Sequence, residues 1–260
     1  MKYRSTVKTI TFLFIFAIAI FIFASCGQNE TPIKDFSWED NYTGISITEY
    51  KGNDKHIVVP EIINNKKVTS IGYTFNGNVV IKSIVLPSGC SYASLGNCEN
   101  LKKITALSPD FTDILSSYPK SLETLIVPNV TEFTLSRSYG NSPIQNPEFK
   151  NLELSSVTKL EAYTKNVELI DEKLSVKIPD NLCYYTNSNG TLIVSSERIT
   201  KEYSSTYLIP DEATYTYDEA SGKYIVDLSQ ELSSDVAAEI YCTLFSRKVV
   251  EVNGKTYSMP

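Results

Sequence analysis

Two stretches decide the fold: Ile81-Lys82-Ser83-Ile84-Val85-Leu86-Pro87 and Leu122-Glu123-Thr124-Leu125-Ile126-Val127-Pro128. Each runs apolar, two variable residues, apolar, one variable, apolar, Pro. Leu101-Lys102-Lys103-Ile104-Thr105-Ala106 repeats the pattern between them, so the first positions stand 20 and 21 residues apart. Weaker copies begin at Leu152, Leu174 and Leu192, at further spacings of 30, 22 and 18. The long interval holds Arg137 to Lys150, rich in Ser, Asn, Gly and Pro, which reads as a loop inserted into one repeat. A second phrase, Val-Thr-x-apolar, recurs as Val68-Thr69-Ser70-Ile71, Val130-Thr131-Glu132-Phe133 and Val157-Thr158-Lys159-Leu160.

One such strand cannot bury its apolar face alone, whereas stacked copies form a parallel ladder over a continuous core. The first, fourth and sixth residues of each phrase would point inward, and the residues between them would face solvent. Pro has no N–H to give the ladder, so it belongs where the strand ends. A β-sandwich also repeats its strands, but roughly every 8 to 12 residues. The expected fold is mainly β: a parallel-ladder solenoid of about six divergent coils, followed by a small α+β module.

Lys2, Arg4 and Lys8 precede an apolar run of 14 residues, Ile10 to Phe23, broken only by Thr11. At about 1.5 Å per residue this run falls short of a ~30 Å hydrocarbon core and reads as a signal h-region. Loss of residues 1–25 takes three of the 24 cations and none of the 30 anions, moving the net charge from -6 to -9. An acidic chain lacks the basic footprint of a nucleic-acid binder. A single His excludes a catalytic centre of three imidazoles.

Phe23-Ala24-Ser25-Cys26 resembles the lipobox of bacterial lipoproteins, which implies diacylation at Cys26, export, and lipid anchoring in a bacterial cell envelope, at the outer membrane or cell surface. Gly44-Ile-Ser-Ile-Thr-Glu-Tyr50, Ile57-Val-Val-Pro60 and Val68-Thr-Ser-Ile-Gly-Tyr-Thr-Phe-Asn-Gly77 resemble the opening of the BspA-like leucine-rich repeat proteins of bacterial surfaces. Leu95-Gly-Asn-Cys98-Glu-Asn-Leu101 is similar to the passage from a Phe-x-x-Cys turn into the next strand, with Leu95 in place of Phe. The expected organisation is a lipoprotein signal peptide over 1–25, a tether over 26–40, a BspA-like leucine-rich repeat solenoid over 41–205 and a C-terminal α+β module over 206–260. The resemblance implies that Cys98 packs inside a coil. It also implies that a short helix follows the strand at Thr191, with Ser195 and Ser196 as caps and Ile199 and Tyr203 on one face.

Near the C-terminus, Tyr215, Tyr217, Tyr224 and Val226 alternate about Asp218 to Gly222 and predict a hairpin. Ser233 or Ser234 is placed to cap a helix to Phe245, with Val236, Ile240 and Leu244 on its apolar side and Asp235 in its first turn. Val249 to Tyr257 predicts a second hairpin with an Asn253-Gly254 type I′ turn.

Little of this carries catalysis. His56 reads as a surface turn residue, 30 carboxylates yield no evident pair, and Asn187-Ser188-Asn189-Gly190 lacks the acidic ladder of a calcium loop. Cys90, Cys98, Cys183 and Cys242 are even in number, which permits disulfides in an exported protein, but their spacing fits no zinc site. No cofactor or metal is expected. The exposed strand positions Lys82, Ser83, Val85, Lys102, Lys103, Thr105, Glu123, Thr124 and Ile126 form the candidate binding face, with Lys82, Lys102 and Lys103 as a basic strip. The expected function is non-enzymatic: a surface-anchored lipoprotein binding a protein or glycan partner, and no nucleic acid, through that face. The alternatives are a glycan-binding accessory protein that uses some of the 17 Tyr and a hydrolase that brings two carboxylates together.

Overall fold

The computed structural model describes residues 29–72, 77–111, 118–135, 144, 146–165, 168–209 and 213–259. The signal segment 1–25, Cys26, residues 73–76 and most of the Arg137–Lys150 insertion lie outside the described residues.

The chain winds as a parallel-ladder β-solenoid. One eight-stranded sheet holds, in spatial order, His56–Val58, Ser83–Leu86, Lys103–Ala106, Thr124–Ile126, Asn151–Glu153, Leu174–Lys177, Val249–Val252 and Lys255–Ser258. Every adjacent pair is parallel except the last, which is a hairpin. The repeat phrase sets the register: Ile84 faces Ile104, Ile104 faces Leu125 and Leu125 faces Leu152. All four are buried, as are the flanking inward residues Ile81, Leu86, Leu101, Ala106, Leu122 and Val127, in one continuous core. Stacking identical positions places each apolar side chain over its equivalent one coil away, which is how short strands acquire a shared interior.

The Val-Thr-x-apolar phrase builds the other side of the coils. Ile45–Tyr50, Lys66–Ile71 and Tyr92–Ala93 pair in parallel, and Glu132–Leu135 pairs in parallel with Lys159–Tyr163. Phe133 lies beside Leu160, both buried. Turn side chains then satisfy carbonyls one coil back: Asn100 Nδ2 donates to Val79 O at 2.7 Å, Asn129 Nδ2 to Leu107 O at 2.8 Å and Asn146 Nδ2 to Lys120 O at 2.7 Å. Carbonyls turned out of the ladder at each corner thus keep a partner. Gly44 has a steric duty here, because a Cβ at that position would meet Lys67 O at 2.3 Å.

The structure corrects four readings. The fourth phrase begins at Phe149 rather than Leu152: Leu152 is in register with Leu125, so Phe149-Lys150-Asn151-Leu152-Glu153-Leu154 carries the inward 1-4-6 pattern. In the next coil Val176, not Leu174, lies beside Leu152. Leu192 lies outside the main ladder, in the strand Thr191–Ser195 that pairs antiparallel with Lys159–Tyr163. Finally, residues 196–203 form no helix. The Ser195 hydroxyl accepts from Glu197 N at 3.0 Å in a turn, and Thr200–Tyr203 is a strand paired with Lys223–Asp227, as its β-branched and aromatic end residues favour.

Part of the expected tether is structured as well. Phe36–Asp40 pairs antiparallel with Ile45–Tyr50, buries Phe36 against Tyr50, and follows Thr31, whose N–H reaches Val58 O at 2.9 Å. At the other end, Tyr215–Asp218 and Lys223–Asp227 form the expected hairpin, and Ser234–Phe245 the expected helix. Ser233 occupies the N-cap position without a side-chain cap bond, while Ile240, Tyr241, Leu244 and Phe245 are buried. Asn253 and Gly254, at φ 50° and 84°, make the left-handed turn that returns the chain as Lys255–Ser258. Among the described residues no helix is long and apolar enough to cross a membrane.

Candidate functional site

The solvent side of the main ladder is a grid whose columns are fixed by register. His56, Ser83, Lys103, Thr124, Asn151, Ser175 and Glu251 stand side by side in one column. Val58, Val85, Thr105, Ile126, Glu153 and Lys177 form the next. Neighbours in a column are about 4.8 Å apart, so groups from six or seven strands are held on one face. Six of the nine candidate residues stand in these columns, and Lys82, Lys102 and Glu123 each immediately precede a strand: Lys82, Lys102 and Lys103 are exposed, and Ser83, Val85, Thr105, Glu123, Thr124 and Ile126 are half-buried.

Charges on the face are largely answered within it. Lys102 Nζ lies 2.6 Å from Glu123 Oε1. That hydrogen bond raises the lysine's pKa and lowers the glutamate's, so Lys102 carries less free positive field than the strip Lys82-Lys102-Lys103 implies. Lys177 reaches Glu153 at 3.0 Å, and Lys173 pairs with Glu251. Burial pushes the Glu153 carboxyl up, but bonds from Lys177 and from the Ser155 hydroxyl at 2.8 Å, with the charge of Lys103, hold it below the usual range on balance.

The C-terminal part of the face is hollowed into a cavity of about 350 Å³. Thr124 and Ile126 of the candidate set line it, together with Asn151, Glu153, Ser175, Lys177, Glu251, Asn253 and Gly254. Asn151 Nδ2 donates to Thr124 Oγ1 at 3.2 Å across the strands. Asn253 is clamped from three sides: its Nδ2 donates to Ile178 O at 2.8 Å and to Asp180 Oδ1 at 2.9 Å, and its Oδ1 accepts from Ile178 N at 3.2 Å. The last hairpin therefore supplies one wall of the cavity. Lys82, Ser83, Val85, Lys102, Lys103, Thr105 and Glu123 are placed along the ladder before it rather than around it. Seven cavity residues, Asn151, Glu153, Ser175, Lys177, Glu251, Asn253 and Gly254, escaped the sequence reading as site residues because the phrases that carry them are degenerate or distant in the chain.

Other candidate chemistry is simply placed. His56 begins a strand instead of lying in a turn, and its exposed Nδ1 is 2.8 Å from Ser83 Oγ. Two carboxylates, Glu153 and Glu251, border the cavity, but each is bound to a lysine. Glu153, held below the usual carboxylate range, is a poor proton donor to a leaving group, unlike the raised carboxyl that glycoside cleavage requires. Cys90, Cys98, Cys183 and Cys242 are buried thiols, and no disulfide joins them among the described residues. Burial pushes Cys90 up to about 12 and Cys98 to about 11, far from a reactive thiolate.

Comparison with known proteins gave no matching family model and no matching curated protein. Among solved structures, a T. pallidum leucine-rich repeat protein is similar at 19% identity, over 58% of this chain and 92% of that one, with a TM-score of 0.34.

Proposed function

We propose that this chain is a non-enzymatic binding protein of the BspA-like leucine-rich repeat kind, anchored through acylated Cys26 on a bacterial surface, and that it engages a macromolecular partner across the outer face of its main ladder. One observation carries the reading: a cavity lies on that face, and its walls come from three successive strands and the last hairpin. Hydroxyls and amides from Thr124, Ser175, Asn151 and Asn253 offer hydrogen bonds there, while Ile126 offers apolar area. Groups fixed by a sheet lose little freedom on association, which favours recognition of an extended surface. Internally paired charges make the partner's own charge secondary and direct specificity to shape and hydrogen bonding.

The test is binding of the full chain to a panel of immobilised extracellular matrix proteins and to whole bacteria. It is repeated with Asn151→Arg and Ser175→Arg, which fill the cavity without touching the core. Specific binding that both variants abolish, with unfolding midpoints unchanged, is the expected result. Binding that survives both variants refutes the face as the site, and absence of binding to every target by folded protein refutes adhesion. Protease shaving of intact cells tests the anchoring separately: a chain cut only after lysis is not surface exposed.

A further inference from the structure

A second surface lies apart from the ladder, on the three-stranded antiparallel sheet Thr200–Tyr203, Lys223–Asp227 and Tyr215–Asp218, whose middle strand is Lys223–Asp227. Register places Tyr203, Tyr224 and Tyr217 in one row and Lys201, Val226 and Tyr215 in the next. Residues opposite one another, and residues two apart on one strand, share a face, so these six side chains project from the same side. Tyr224 is the hub: its ring centroid lies 4.9 Å from that of Tyr217 and 5.6 Å from that of Tyr215, in tilted and edge-on packing. Lys201 Nζ stands 4.9 Å from the centre of the Tyr203 ring. Tyr215 and Tyr217 remain 48% and 55% exposed although they are packed on Tyr224.

The charges of these strands are segregated. Glu202 and Asp227 belong to the opposite face, where Glu202 pairs with Lys223 and Asp227 with Arg198. The aromatic face draws no carboxylate from the three strands and one cation, Lys201, on a chain whose net charge is -6.

We infer that this face is a binding platform for a carboxylate-bearing polysaccharide. Rings held by one another lose little side-chain freedom when a ligand covers them. Four tyrosines, with rings inclined at 50° and 83° about Tyr224, give apolar ring faces rimmed by hydroxyls, the counterpart of a pyranose, which has a face of C–H bonds and an edge of hydroxyls. A docking helix needs aliphatic ridges and a groove, whereas the one aliphatic residue of these two rows, Val226, is fully buried and the exposed side chains beside Lys201 are aromatic. The row Tyr203-Tyr224-Tyr217 spans two strand spacings, about 10 Å, so it meets successive sugar rings of a chain. Lys201 at its margin is the partner for a uronate carboxylate, by a charge-assisted hydrogen bond.

The experiment is affinity electrophoresis of the full chain through native gels containing polygalacturonate, hyaluronan or alginate, with neutral galactan and dextran as comparisons. At least one uronate polymer retards the protein, and the neutral polymers act about tenfold more weakly, the size of one charge-assisted contact. Tyr217→Ala and Tyr224→Ala remove the retardation, Tyr217→Phe keeps it, and Lys201→Gln lowers it to the neutral level; thermal unfolding of each variant confirms that it is folded. Failure of all three uronate polymers overturns the inference. So does equal retardation by the neutral polymers, retention by folded Tyr217→Ala, or binding of a proline-rich peptide at the same rings without any polymer effect. Asn151→Arg leaves the retardation unchanged, which separates this platform from the ladder face.

Discussion

Leu125→Ala is the most searching perturbation of the solenoid. Leu125 is fully buried at mid-ladder, with Ile104 on one side of it in register and Leu152 on the other. The substitution removes about three methylene equivalents at ~0.8 kcal/mol each, roughly 2.4 kcal/mol of transfer free energy. A residual void of about 40 Å³, at ~24 cal/mol per Å³, adds roughly 1 kcal/mol, for a total of about 3.5 kcal/mol. Ile126→Thr, one residue away on the half-exposed side, keeps a β-branched strand former and costs under about 1 kcal/mol. Urea unfolding of both variants measures the contrast. Hydrogen exchange localises it: because each coil contacts only its neighbours, protection at Ile104 and Leu152 falls while that at Ile57 is retained. Equal costs at 125 and 126, or a loss below about 1 kcal/mol for Leu125→Ala, would refute the inward 1-4-6 assignment.

Three further outcomes follow from particular residues. The thiols of Cys90 and Cys98 have folded pKa values raised above their unfolded ones, so they contribute stability in full below about pH 9 and lose it as pH climbs towards 12 and 11. Urea midpoints therefore fall between pH 8 and pH 10.5, Cys90→Ala flattens that slope, and both thiols resist a disulfide reagent at pH 8 until urea is added; prompt labelling of native protein contradicts this. Arg247 is fully buried, bonded only through Nη2 to the carbonyls of Asn146 at 2.8 Å and Phe149 at 3.2 Å, while Nε and Nη1 have no partner among the described residues. Arg247→Met is expected to hold stability within about 1 kcal/mol, because lost hydrogen bonds and relieved desolvation oppose each other, whereas Arg247→Ala costs about 3 kcal/mol in packing; calorimetry showing a large loss for Met would reverse the balance. Glu123→Gln breaks the exposed Lys102 pair and leaves the urea midpoint almost unchanged, and 0.5 M salt erases the small difference.

The coils were legible where the phrase is strict. Ile81, Leu101 and Leu122 open three copies at nearly constant spacing, and stacking in register leaves no freedom about which residues point inward. The fourth coil was misread by three residues because Phe149 stands where the others have Ile or Leu, and the Arg137–Lys150 insertion hid the period. A strand's alternation of two lets Leu152 and Leu154 fit more than one phase, and only pairing with Leu125 decides between them. The second phrase was visible as a repeat but not as a second ladder, since Val-Thr-x-apolar does not name its partner strand. The segment after Ser195 was misread because Ile199 and Tyr203 at i, i+4 mimic a helical stripe, while tertiary pairing with Tyr224 makes a strand.

The candidate site was half legible for a related reason. Thr124 and Ile126 could be named from one phrase, but the cavity they line is completed by Glu251, Asn253 and Gly254, more than a hundred residues on. Those residues reach it because Val249–Val252 continues the parallel ladder beside Leu174–Lys177, with Leu174 in register with Val250 and Val176 with Val252. The helix Ser234–Phe245 makes this possible by burying Leu244 and Phe245, after which Ser246 turns the chain with φ 54° and Arg247 bonds the carbonyls of Asn146 and Phe149. Burying the final hairpin against the ladder covers an otherwise bare strand edge, the usual hazard of an open sheet. Capping and site construction are thus one physical event: the segment that protects the end of the solenoid also raises the wall of its cavity. A variant that loosens this cap, such as Leu244→Ala, is expected to open the cavity's Asn253 wall, detectable as lost exchange protection at Ile178 and Asn253, before it unfolds the coils around Ile84. Loss of protection in the reverse order would show that the cap and the wall are independent.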